Sequence, residues 1–453
     1  MKLLKRSLFL ILFIVIIIIA FQYPKLTIIT GYSAKNMSSS VFVAHRCAEF
    51  TDSTDNNFGL VSLADDAVDL KEKSASATVF GLMKRTAIFR EGTGSVLIND
   101  RFDVNAPYLK PVRTLSVHDT LPYPYGAAAA KDSIFNTIDY TALQNAIESA
   151  FDKRDENLLK TRAILILYKN HIIAEEYAAG FDQNSLFLGW SMTKSILSTL
   201  YGILQKQGAL TIDDPAPVAE WALDERAAIT LSDLLQMNSG LEWDEDYESI
   251  SDVTRMLFLE EDMSRSQREK EAIAPPGTVW NYSSGTSNLL SGILRSQFDT
   301  HQEYLDFPYK ALIDKIGMHS MLVETDMSGN YVGSSYAWGT TRDWARYGLL
   351  YLNRGMWDGE QIITPEWIDY TATPAPNSQK EYGAHFWLNA GGAMPDVPRD
   401  VFYADGFQGQ RVFIIPSHDM VVVRFGLTGL DFNQFLKEVL LSVKEPVTGQ
   451  NQE

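Results

Sequence analysis

Leu186-Phe187-Leu188-Gly189-Trp190-Ser191-Met192-Thr193-Lys194-Ser195-Ile196-Leu197 carries the reading from which the rest of the fold follows. An apolar segment, Leu186 to Trp190, runs straight into Ser191. Apolar spacing then predicts a long helix from Ser191 to Gln207, ended by Gly208. Ser191 and Lys194 are three residues apart and so share one face of that helix. A serine hydroxyl is a poor nucleophile until a base takes its proton. Lysine serves as that base when burial or a second cation lowers its pKa, and a helix N-terminus favours the negative charge that develops there. The spacing alone is a weak signal, because an ordinary N-cap serine satisfies it equally well.

Upstream, Arg162 to Tyr168 is an apolar run, and His171 to Tyr177 follows the polar pair Lys169-Asn170, which predicts a β-hairpin. Before it, Leu143, Ile147 and Phe151 give helical spacing over 140–151. Downstream, residues 210 to 330 read as helices and loops, and 343–353 as a helix. Arg411 to Pro416 and Met420 to Gly426 read as strands split by Ser417-His418-Asp419, with a helix over 433–443 closing the chain. Strands flank a helical middle, so the fold class is α+β: a two-layer arrangement with an antiparallel sheet flanked by helices and a helical subdomain.

Two further stretches carry chemistry. Pro275-Pro276-Gly277 fixes a tight loop that leads to Tyr282 and Ser284, just before a helix starting near Ser287. A tyrosine phenol sharing a proton with lysine can relay it to a leaving group, although a packing role would also explain Tyr282. Ala404-Asp405-Gly406-Phe407-Gln408-Gly409-Gln410 enters an apolar strand. Its glycines let a substrate approach the backbone, and a backbone N–H there could join that of Ser191 as an oxyanion hole.

Together the three stretches resemble the serine β-lactamase and penicillin-binding-protein superfamily, in its class C-related branch of esterases and 6-aminohexanoate-dimer hydrolases. Leu231 to Gly240 and Gly355 to Trp367 extend the resemblance, which covers about residues 135 to 443. It implies a β-lactamase/transpeptidase-like fold and a serine hydrolase acting on a small-molecule or peptide ester or amide. By motif, Ser191 is the nucleophile, Lys194 its base partner and Tyr282 the motif tyrosine, with the base role undivided between the last two. Ser284 stands where lactamases have asparagine. Gln410 supplies the second oxyanion N–H beside Gly409. Phe407 falls where lactamases carry the lysine of K-T-G. Phenylalanine cannot hold a carboxylate, so neutral esters or amides are favoured over β-lactams and D,D-peptides, the nearest alternative. A membrane-tethered, non-catalytic binding or sensor protein on the same fold is the other.

The domain reading is a signal peptide or membrane anchor over 1–30, an extension with a small β-rich part and linker over 31–132, and the hydrolase domain over 133–446. Lys2, Lys5 and Arg6 precede the apolar run Leu8 to Phe21, which predicts export, either cleaved and secreted or anchored and facing the periplasm or cell exterior. Residues 22 to 60, rich in Ser, Thr, Asp and Asn, read as a tether. Strands are expected over 77–90 and 92–98, and the prolines between residues 105 and 126 predict a wrapping loop.

Among 453 residues, 39 Lys and Arg face 57 Asp and Glu, a net charge of −18, which argues against nucleic acid as a partner. The lone cysteine, Cys47, excludes an internal disulfide and reads as a small buried hydrophobe. No zinc spacing, P-loop or dinucleotide fingerprint occurs, so no metal or cofactor is expected. A G-x-S-x-G elbow is also missing from the sequence, which disfavours the α/β-hydrolase class.

Overall fold

The computed structural model describes residues 2–115, 121–126, 133–153 and 158–444, with the side chains of residues 2–5, 8, 10–12 and 14–22 outside that description. The chain divides into two compact units. One comprises Met1–Ala106, Asp244–Met263 and Thr325–Gly329; the other comprises Pro107–Trp243, Ser264–Glu324 and Asn330–Glu453.

The first unit is built on helix α1 (Lys2–Phe42). Four strands, β1 (Ala64–Asp69), β2 (Ser74–Val79), β3 (Leu82–Arg90) and β4 (Gly94–Ile98), form an antiparallel meander in that order. Alternation in β2 buries Ala75, Ala77 and Val79, as a strand with one covered face requires. The stretch expected as one strand over 77–90 is broken at Phe80-Gly81, where both residues have positive φ and the chain turns from β2 into β3.

The tether reading of residues 22 to 60 is corrected. α1 continues to Phe42 and a short helix follows at Ala48–Ser53. The polar residues that suggested solvation are buried and bonded to one another. Ser33 Oγ donates to the Asp66 carboxylate at 2.8 and 2.9 Å, Asn56 donates to it at 2.8 Å, Asn36 donates to Asn56 at 2.8 Å and Ser38 donates to Ser95 at 2.8 Å. Composition cannot distinguish polar groups bonded to water from polar groups bonded to each other. Cys47 is also corrected: it is exposed, and its thiol donates to the Glu49 carboxylate, because it sits at the turn between the two helices. Leu8 to Phe21, the expected export segment, falls within α1, and most of its side chains lie outside the described residues. Among the described residues no helix is long and apolar enough to cross a membrane.

The second unit is organised by helix α2 (Tyr140–Ser149), strands β5 (Thr161–Tyr168) and β6 (His171–Tyr177), helices α3 (Thr193–Lys206), α4 (Ser284–Arg295) and α5 (Thr341–Leu352), strands β7 (Trp387–Leu388), β8 (Phe402–Gly406), β9 (Gln410–Ile415) and β10 (Met420–Gly426), and helix α6 (Phe432–Leu441). The six strands make one antiparallel sheet in the order β7-β8-β9-β10-β5-β6. The β5–β6 turn forms at Lys169 and Asn170, both with positive φ, the conformation that two-residue hairpins need.

The sheet has helices on both faces, so the expected two layers are three. Ala163, Leu165, Val421, Val423 and Val412 share a core with Leu197 and Leu200 of α3 and Trp344 of α5. Ile164, Ile166, Val422 and Phe413 share another with Leu143 and Ile147 of α2 and Leu436 of α6. Burial on both faces explains why β5 reads as a continuous apolar run and not an alternating one.

Candidate active site

The loop before α3 is tied on several sides. The N–H of Gly189 donates to the Ala337 carbonyl at 2.8 Å, and Thr193 Oγ1 accepts from the N–H of Ala337 at 3.0 Å while donating to the Trp190 carbonyl at 2.7 Å. Gly189 is obligatory here, since a Cβ would stand 2.4 Å from the Trp344 ring. Trp190 is held at φ 48°, a strained setting for a bulky residue that the surrounding bonds over-determine. This strain delivers Ser191, in the 3₁₀ turn Trp190–Met192, to the mouth of α3.

Lys194, one turn on, is 1% exposed. Its Nζ is 3.0 Å from each of Ser191 Oγ, Ser284 Oγ and the Ser334 carbonyl oxygen. Tyr282 completes the group, with Lys194 Nζ 4.9 Å from its ring centroid. Ser284 opens α4 and is itself buried. The structure therefore brings Ser191, Lys194, Tyr282 and Ser284 together from two separated segments of chain. Tyr282 is packed among rings: Tyr382 at 5.8 Å and Trp387 at 5.5 Å.

The turn from β8 to β9 stands against the same loop. A Cβ at Gly406 would fall 2.2 Å from the Gly189 carbonyl oxygen, and the exposed Phe407 meets Trp190 edge-on at 5.7 Å. The Gln410 side chain is turned inward, donating to the carbonyls of Phe407 and Gly426 while its Oε1 accepts from the Gly426 N–H at 3.0 Å. Gly409 has φ +78°, and its carbonyl accepts from Arg424 at 3.1 Å. These contacts of Gln410 and Gly409 shape the turn.

Three participants escaped the sequence reading. The Ser334 carbonyl holds Lys194, and a backbone acceptor carries no side-chain signature. Its N–H in turn donates to Asn288 Oδ1 at 3.1 Å, which ties it to α4. His385 lies deep beside the lysine: its Nδ1 is 2.7 Å from the Leu235 carbonyl and its Nε2 2.9 Å from Ser287 Oγ. Burial first, and the Lys194 charge after it, push its pKa down to about 3, so it is neutral. Arg411, on β9 beside this turn, is the third. Among the described residues no group of three or more His, Cys, Asp or Glu is arranged to hold a metal ion.

The family profile described as Beta-lactamase matches residues 151–426. The 6-aminohexanoate-dimer hydrolase of Paenarthrobacter ureafaciens is 22% identical over 298 residues, which are 58% of this chain and 72% of that protein. A family VIII carboxylesterase structure superposes with a TM-score of 0.54 at 14% identity, covering 70% of this chain and all (100%) of that one. A penicillin-binding-protein homolog from Caulobacter crescentus gives 0.53 at 14% identity with the same coverages, 70% and 100%. At these identities the structural likeness shows the β-lactamase/transpeptidase fold.

Proposed function

This chain belongs to the beta-lactamase family, and from that premise we propose that it is a serine hydrolase that forms an acyl-enzyme at Ser191 on an ester or amide substrate. One observation carries the reading: a buried lysine amine lies 3.0 Å from the hydroxyl of a serine at the start of a helix. Desolvation disfavours the charged ammonium, so Lys194 is suited to accept the Ser191 proton, with Tyr282 as its partner. The Ser191 oxygen then attacks the carbonyl carbon. The oxyanion is held by the Ser191 N–H and a second N–H from the β8–β9 turn. Gln410 is the donor that the motif suggests. Tyr282 returns the proton to the leaving group, and water releases the acyl group. No other group is needed for this cycle.

Neutral substrates are favoured. Phe407 presents a ring at the rim, and the cation nearby on β9, Arg411, already pairs with Asp405. The likeness to the 6-aminohexanoate-dimer hydrolase of Paenarthrobacter ureafaciens supports amides beside esters as substrates. Export, through the segment before residue 30, remains part of this proposal.

The test is hydrolysis of a short-chain p-nitrophenyl ester by the full chain and by Ser191→Ala, with a chromogenic cephalosporin in parallel. Ester turnover that vanishes in the variant supports the proposal. Equal rates in both remove Ser191 from the chemistry. Faster turnover of the cephalosporin moves the substrate class to β-lactams, and a stoichiometric burst without turnover favours a binding or sensor role.

A further inference from the structure

Asn288 is a buried polar side chain that the cycle above leaves unused. It lies on α4 one turn after Ser284 and three residues before Ser291, so the three share one face of the helix. Each bonds a different group. Ser284 Oγ is 3.0 Å from Lys194 Nζ, Asn288 Oδ1 accepts the N–H of Ser334 at 3.1 Å, and Ser291 Oγ donates to the Tyr331 carbonyl at 2.7 Å. α4 therefore holds the lysine through Ser284 and grips the turn over residues 331–335 at two points.

That turn presents the Ser334 carbonyl to Lys194. Ser334 is buried, its N–H donates to Asn288, and its carbonyl accepts from Lys194 Nζ at 3.0 Å. The peptide plane that carries the carbonyl is set from its other end, where the N–H of Ser335 donates to the Val332 carbonyl at 3.1 Å. There is little room to shift: a Cβ on Gly333 would stand 3.0 Å from the Leu197 side chain of α3. A buried N–H needs an acceptor, and the amide oxygen of asparagine supplies one that cannot donate in return.

A carbonyl oxygen, likewise, can only accept. However the protons are shared among the hydroxyls around the amine, one N–H of Lys194 is committed to Ser334. That commitment fixes the rotation of the amine about its Cε–Nζ bond. The other positions of the nitrogen then face Ser191 Oγ and Ser284 Oγ, each at 3.0 Å. An amine turned this way can take the Ser191 proton without reorienting, which is the geometric condition for general-base catalysis.

We propose that Asn288 is a positioning residue: by holding the Ser334 N–H it aims the Ser334 carbonyl at Lys194 and so keeps the amine turned toward Ser191. The inference rests on the reading of Lys194 as the base for Ser191. The amine has ionisable neighbours in Tyr282, whose ring centroid lies 4.9 Å away, and in neutral His385 behind it. Neither is altered by the substitutions that test the proposal.

Two measurements on the full-length protein test this: the pH profile of kcat/KM on the p-nitrophenyl ester, and the rate of labelling by a fluorophosphonate, which reads Ser191 reactivity without turnover. Asn288→Leu keeps the size of the side chain and removes the acceptor. It should lower the maximal kcat and the labelling rate about tenfold, with KM within about twofold. It should also move the acid limb of the profile to lower pH, because an ammonium that loses the carbonyl is less favoured. Asn288→Asp keeps an acceptor and should restore the maximal rates to within about threefold of wild type. Asn288→Ser, too short to reach Ser334, replaces Asn288→Leu if that variant does not fold. An unchanged maximal rate without the acceptor, a loss that Asn288→Asp does not restore, or an acid limb that stays in place each overturns the proposal. Failure of the serine reading itself shows separately, as labelling that persists in Ser191→Ala.

Discussion

Each unit of the molecule contains a buried lysine bonded to a serine hydroxyl on the same helix, and the two pairs are built differently. In the second unit, Lys194 bonds Ser191 at 3.0 Å, with the serine at the helix mouth, half-buried, and its backbone strained at the residue before it. In the first unit, Lys35 bonds Ser39 at 2.9 Å within the body of α1, and both residues are buried, at 5% and 1% exposure. Chemistry needs a nucleophile that a substrate can reach. A lysine–serine hydrogen bond sealed inside a unit can only be packing, whatever its distance, whereas the same bond with a half-buried serine, backed by Ser284 and the Ser334 carbonyl, is what the proposed proton transfer requires.

The contrast is broken or sharpened by substitutions on the two sides. Ser191→Ala should lower kcat/KM on the ester by about 10⁴-fold or more, whereas Lys35→Met should keep it within about threefold and lower stability by about 1–2 kcal/mol through the lost bond to Ser39. Ester kinetics and denaturant melts of both variants check this pair, and a large activity loss in Lys35→Met would erase the distinction. Tyr282→Phe should cost about 10²–10³-fold in kcat with the fold unchanged, read by steady-state kinetics beside circular dichroism. Gly406→Ala drives a Cβ to 2.2 Å from the Gly189 carbonyl oxygen, and displacing the nucleophile loop should cost about 10²-fold in kcat/KM. Wild-type rates in that variant would mean that the hairpin does not position Ser191.

The smallest expected effects are opposite pH dependences of stability in the two regions. Burial lowers the His385 pKa from its ordinary 6.5 to about 3, so its contribution is present above pH 6.5 and lost as pH falls toward 3. Burial raises the Asp66 pKa above its ordinary 3.8, so its contribution is present below about pH 3.8 and lost as pH rises through the folded value. Melting midpoints of His385→Leu and Asp66→Asn against wild type, from pH 3 to pH 8, should show differences that move in opposite directions with pH.

Much of the second unit was legible because its signals are local. The hairpin of β5 and β6 was marked by Lys169-Asn170 between apolar runs, and β10 begins and ends where Met420 and Gly426 suggested. Ser191, Lys194 and Tyr282 were legible as motif residues. The first unit was misread for a physical reason: Ser33, Asn36, Ser38 and Asn56 have the composition of a solvated tether, yet they pair with Asp66, Ser95 and one another. Those partners lie up to 57 positions apart in sequence, beyond the reach of any window.

The sequence by itself determined the residue types of the site, the three-residue spacing of Ser191 and Lys194 and the antiparallel hairpins, because each follows from spacing along a few turns or strands, and the resemblance of several motifs taken together pointed to the family. Tertiary structure alone decided that Lys194 is buried against Ser284 and the Ser334 carbonyl, and that neutral His385 stands behind it. Ser284 and Ser334 lie 90 and 140 positions from Lys194 along the chain. Burial and long-range charge, which set how a proton moves, depend on what the folded chain encloses and not on which residues are neighbours along it.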